Sequence, residues 1–125
     1  MSNQRKEPRK KLVAFTPVYD LPHKALLGYV GDLTPQGVMV IGEKQVEVGK
    51  HFTLGIKFPD SRSGTQAVHV IFSARVAWCR QDKSPQQFNI GFEFIDVTTE
   101  NAKVIEAVLA RYQFRYVMNV SDLEP

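Results

Sequence analysis

Near the start of the chain, Arg5-Lys6-Glu7-Pro8-Arg9 sets two guanidinium groups four positions apart. Such forks meet phosphate oxygens in pairs, and their flat faces stack on nucleobases. Pro8 disfavours helix at Glu7, so the segment reads as extended or turned. In an extended chain the two side chains point the same way, roughly 13 Å apart at about 3.3 Å per residue. A bend brings them closer. The same residues also read as a solvated basic tail.

A second group lies in the stretch GDLTPQGVMV, residues 31–40. Asp32 and Thr34 are two apart and so share a face at a strand end. A carboxylate only accepts hydrogen bonds, which suits the N–H donors of a guanine edge, and a hydroxyl beside it can donate or accept. Thr34-Pro35-Gln36-Gly37 has turn composition, with Pro35 preset for the first corner and Gly37 able to take positive φ. Gly37 would also let the backbone approach a ligand closely. A plain hairpin turn with a local Asx-type bond accounts for the stretch equally well.

Other chemistry has no carrier. The chain holds no Walker loop and no GxGxxG. His23, His51 and His69 are scattered, without metal-ligand spacing, and His69 falls on the polar face of its segment. Cys79 has no histidine near it in sequence and follows Trp78, which reads as a buried residue. No acid–base or nucleophile set is visible, so the expectation is no enzyme, no cofactor and no metal.

The elements that must position these residues are mostly strands. LVAFTPVYD is strand-like but weakened by Pro17, LPHK is a turn, and ALLGYVGDL and GVMVIG read as the next two strands. Phe52, Leu54, Ile56 and Phe58 alternate with polar or small residues. So do Val68, Val70, Phe72, Ala74, Val76 and Trp78, and then Phe88, Ile90, Phe92 and Phe94. This period of two marks half-buried antiparallel strands. From Thr98 the period becomes helical, through Ala102, Ile105, Val108, Leu109, Tyr112 and Tyr116. Thr98 is placed to cap that helix, with Glu100 in its first turn.

The expected architecture is all-β with a C-terminal helix: a six-stranded antiparallel barrel over 12–97, a helix over 98–118 on an open end or seam, and a flexible basic arm over 1–11. Together, 1–118 make one domain, which a chain of 125 residues can build around a real core.

Charge is unevenly placed. The formal net is +3, but residues 1–11 carry five cations against one acid, so the remainder sums to −1. A local anion site fits this better than a broad nucleic-acid surface. One cysteine excludes an internal disulfide, and no apolar run suggests a signal peptide or membrane span, so a cytoplasmic protein without membrane insertion is expected.

The order of the two groups, Arg5-x-x-x-Arg9 and then Asp32-x-Thr34-x-x-Gly37, resembles the PilZ domain family, whose pattern is RxxxR followed by [D/N]xSxxG. ARVAW on the fifth strand, IGFEF on the sixth and the helix after it are similar too. The likeness runs from about Arg5 to Tyr116. It implies binding of cyclic di-GMP, a bacterial second messenger with two guanines and two phosphates. By that pattern Arg5 and Arg9 grip phosphates and lie along guanine faces, Asp32 and Thr34 meet a guanine edge, and Gly37 leaves room. Thr34 stands where Ser is usual and keeps the hydroxyl. Gln4, not Arg, precedes the first arginine, which leaves open one ligand or a stacked pair. Gln4, Lys10, Trp78 and Arg80 are secondary candidates. The expected output is an arm ordered on the barrel by ligand, creating a surface for an unidentified downstream protein in motility, adhesion or exopolysaccharide control.

Two rival readings remain. A barrel binding single-stranded nucleic acid displays aromatics on a basic outer face, whereas here six phenylalanines lie on apolar faces and the body is slightly acidic. A PilZ-like scaffold that binds only proteins lacks both motifs.

Overall fold

Alternating apolar residues wind the chain into a barrel. The computed structural model describes residues 11–13, 15–59, 67–84 and 86–114. Its strands are β1 (Lys11–Val13), β2 (Pro17–Asp20), β3 (Ala25–Thr34), β4 (Gly37–Gly42), β5 (His51–Pro59), β6 (Ala67–Gln81), β7 (Phe88–Ile95) and β8 (Tyr112–Phe114), with helix α1 (Thr99–Arg111) between the last two. Strands β2 to β7 close into a six-stranded barrel in the order β2-β3-β4-β7-β6-β5, and every neighbouring pair is antiparallel. Closure leaves the barrel no free edge.

The expected inward faces fill the interior. Phe52, Leu54, Ile56 and Phe58 are buried from β5; Val70, Phe72, Ala74 and Val76 from β6; Ile90, Phe92 and Phe94 from β7. Phe72 and Phe94 stack at 4.3 Å between centroids, and Phe52 meets Phe92 edge-on at 5.4 Å. Cross-strand aromatic contacts of this kind add roughly 0.5–1.5 kcal/mol each beyond burial.

Helix α1 is capped as its sequence suggests, with Asn101 N–H donating to Thr98 Oγ1 at 3.0 Å. It buries Ile105 and Val108 and packs against β3, β6 and β8. The Asn101 side-chain amide also donates to the Ile71 carbonyl at 2.8 Å, tying the helix start to β6.

The helix is shorter than its apolar spacing implied. It stops at Arg111, and Tyr112, at φ −127 and ψ 150, begins an extended strand. Tyr112 and Phe114 are both buried around exposed Gln113, a period of two that overrides the helical one. Phe114 packs against Phe58 at 6.0 Å between ring centroids. The first strand-like run also divides. Lys11–Val13 leaves the barrel to pair in parallel with Tyr112–Phe114, while Pro17–Asp20 joins β3 and β5. Phe15, at φ 63, stands between the two pieces. A bulky residue adopts that conformation only where its surroundings impose it.

Candidate functional site

The outer wall of β3, β4, β7 and β6 gathers the predicted residues that lie in the described part of the chain. Leu33, Val38, Phe92 and Val76 form one cross-strand row, and all four are buried, so this row faces inward. The rows on either side therefore face out. One is Asp32, Met39, Gly91 and Trp78. The other is Thr34, Gly37, Glu93 and Arg75. At about 4.8 Å per strand, Asp32 and Trp78 stand roughly 14 Å apart along their row.

Two bulges bring this row into line. The register shifts between Val30 and Asp32 in β3 and between Val76 and Trp78 in β6. Each extra residue, Gly31 or Ala77, reverses the in–out alternation beyond it. The expectation that Trp78 shares the inward face of Val76 is therefore wrong. After the bulge Trp78 points outward, and Cys79 turns in to pack against the core. Gly91 makes the new position possible, because a Cβ there would run into the Trp78 indole. Arg80, also outward, places its guanidinium 5.0 Å from the Trp78 ring centroid, a cation–π distance.

Asp32 is exposed at the strand end. Its Oδ1 accepts from the Leu33 N–H at 2.9 Å, and Oδ2 has no partner among the described residues. One carboxylate oxygen thus fixes the side chain and the other is open to a donor. Thr34 is also exposed, but its hydroxyl serves the turn: Gln36 N–H and Gly37 N–H both donate to Thr34 Oγ1, at 3.2 Å each. The Thr34 O–H points toward the Gly37 carbonyl at 3.4 Å.

Gly37 is a glycine for a reason the sequence did not suggest. It does not take positive φ; the described glycines that do are Gly28 and Gly49. A Cβ at Gly37 would collide with the Phe92 carbonyl of β7. Close strand approach, not turn geometry, requires it. The Gln36 carbonyl accepts from Phe94 N–H at 2.8 Å, so the corner is held onto β7 as well.

Three features of this wall were missed in the sequence. Met39 sits between Asp32 and Gly91, half-buried, with its Cε leaning over Gly31. Arg75 and Glu93 form a 2.7 Å ion pair beside Gly37, exposed enough to be worth at most about 1 kcal/mol. Asn89, next to Ile41 and Arg80 in the following row, carries a buried Oδ1 without a hydrogen-bond partner among the described residues. None of the three had a signal of its own; the one signal nearby was Gly91, a glycine inside a strand pattern, which marks close approach by another group. Arg5, Arg9, Gln4 and Lys10 lie outside the described residues. Among the described residues no cluster of three or more His, Cys, Asp or Glu could hold a metal, and no helix is long and apolar enough to cross a membrane.

Comparison with known proteins agrees with this architecture. The profile of the PilZ domain family matches residues 3–112. Among solved structures, the PilZ domain with c-di-GMP of YcgR from Escherichia coli superposes with a TM-score of 0.56 at 14% identity, covering 86% of this chain and 91% of that one. That similarity concerns the fold. No curated protein sequence matches the chain.

Proposed function

The chain belongs to the PilZ domain family, and from that premise we propose that it is a cyclic di-GMP receptor whose site is the outer wall around Asp32. The family typically binds this dinucleotide, and its members are generally non-catalytic receptor domains. The observation that carries the reading is the row from Asp32 to Trp78. An open carboxylate oxygen stands at one end and an indole backed by a guanidinium at the other, with an apolar floor between. That arrangement suits a purine: Asp32 accepts from its N–H edge while Met39 and Trp78 meet its faces.

Arg5 and Arg9 supply the phosphate contacts on this reading. Hydrogen bonds to a charged group contribute on the order of 1.5–3 kcal/mol each, against about 1–2 kcal/mol for each backbone residue ordered. Binding in the micromolar range, on the order of −8 kcal/mol, is the expected balance. The signal then passes along the chain. Residues 1–10 lead directly into β1, and β1 pairs with β8, which follows α1. Movement of the arm onto ligand is thereby linked to the C-terminal helix, the element through which a downstream protein would sense it.

The test is a calorimetric titration with cyclic di-GMP, repeated by fluorescence of Trp78, the single tryptophan. Saturable heat together with a change in Trp78 emission is expected. Silence in both at millimolar ligand would leave the protein-binding scaffold as the better reading.

A further inference from the structure

A cleft of about 600 Å³ opens on the same wall, between the ends of β3 and β4 and the loop joining β6 to β7. It continues the candidate site. Tyr29 and Ile41 are directly paired and line it, and Ile41 lies two residues beyond Met39 on β4, on the same face. Glu43 and Lys44, both exposed, form one rim, and Gln86 and Gln87, which precede the β7 start paired with Gly42, also line the cleft. From Met39 to Glu43 is four residues, roughly 13 Å at about 3.3 Å per residue.

We propose that this cleft takes the second guanine of a cyclic dinucleotide whose first guanine meets Asp32. This rests on the receptor reading above and adds to it the specificity of the second base. The lining has the required chemistry. A guanine edge presents N–H donors at N1 and N2 beside acceptors at O6 and N7. The Glu43 carboxylate only accepts and the Lys44 ammonium only donates, so neighbouring residues on one rim match the two halves of that edge. Held in the same orientation, adenine puts the N6–H donor where O6 stood and a bare N1 acceptor where N1–H stood, so Glu43 loses the paired N1–H and N2–H donors that only guanine offers it. The glutamine amides can serve either polarity, and Tyr29 and Ile41 supply an apolar floor for the ring. Two guanine-reading ends, Asp32 and Glu43, then lie along one wall with Met39 between them.

The experiment measures affinity by calorimetry for cyclic di-GMP and for the mixed cyclic dinucleotide carrying one guanine and one adenine. The proteins are the full chain, Glu43→Gln, Asp32→Ala and the double variant, with circular dichroism checking the fold of each. With two guanine sites, the unaltered chain prefers cyclic di-GMP by about tenfold or more. Glu43→Gln leaves a single reading site, so the two ligands then bind within about threefold of each other, and Asp32→Ala acts in the same way. The double variant binds both weakly. Equal binding of the two ligands by the unaltered chain, or an unchanged preference in Glu43→Gln, overturns the cleft assignment and leaves the receptor reading standing. No binding of cyclic di-GMP by the unaltered chain overturns both.

Discussion

Trp78 and Gly91 stand opposite each other on β6 and β7, and the indole fills the volume that a Cβ at Gly91 would occupy. The pair turns a register fault into a flat aromatic surface on the outside of a barrel. One inserted residue, Ala77, sends the ring outward, and the absent side chain gives it a bed. Any substitution at Gly91 therefore reports on the candidate site as well as on stability.

Gly91→Ala should displace the indole. Overpacking against neighbouring atoms costs about 1–3 kcal/mol. Because Trp78 is the single tryptophan, its emission should shift toward that of a more solvated ring, and the thermal midpoint should fall. An unchanged emission spectrum would show that the ring does not rest on Gly91.

Arg5→Ala and Arg9→Ala should each lower cyclic di-GMP affinity by about tenfold or more, as loss of a charge-assisted contact implies. Thermal midpoints should stay within about three degrees, because charge-removing substitutions away from a core rarely exceed about 0.5 kcal/mol. Wild-type affinity in both variants counts against a phosphate clamp in the arm.

Thr34 separates turn from ligand. Thr34→Ser keeps an acceptor for the Gln36 and Gly37 N–H groups; Thr34→Val removes it. The valine variant should lose below about 1 kcal/mol by chemical denaturation, since both amides can turn to water at this exposed corner. If Thr34 also meets the nucleotide, the valine variant loses affinity and the serine variant does not. Equal affinity in both confines the hydroxyl to the turn.

Phe114→Ala should destabilise the domain by about 3–5 kcal/mol, the usual cost of emptying a buried aromatic site. Its ring lies against Phe58 and its strand holds β1. Beyond the lower midpoint in denaturant, amide exchange at Leu12 and Val13 should quicken. Protection of those amides equal to that in the unaltered chain would mean β1 does not depend on β8.

Much of the barrel is legible in the sequence, because its signal is local. Phe52 to Phe58, Val70 to Val76 and Phe88 to Phe94 each state their facing by alternation, and Thr98 caps a helix three residues from its own partner. The candidate wall was legible in part. Asp32 and Thr34 share an exposed face as their spacing of two demands, and Asp32 keeps an unpartnered oxygen among the described residues.

What the tertiary structure decided depends on which strand lies alongside. The alternation in β6 runs unbroken through Trp78, yet hydrogen bonding to β7 inserts a bulge and reverses its facing. Gly37 looks like a turn glycine in sequence, but the Phe92 carbonyl, 55 residues on, is what excludes a side chain there. Tyr112 satisfies a helical and an extended period equally, and pairing with Lys11 selects the extended one. Chain-local periodicity encodes which residues are buried; backbone pairing across the sheet, which leaves no mark in either strand alone, sets where that periodicity slips. The same pairing brings Asp32, Met39, Gly91 and Trp78 into one row from four separate strands.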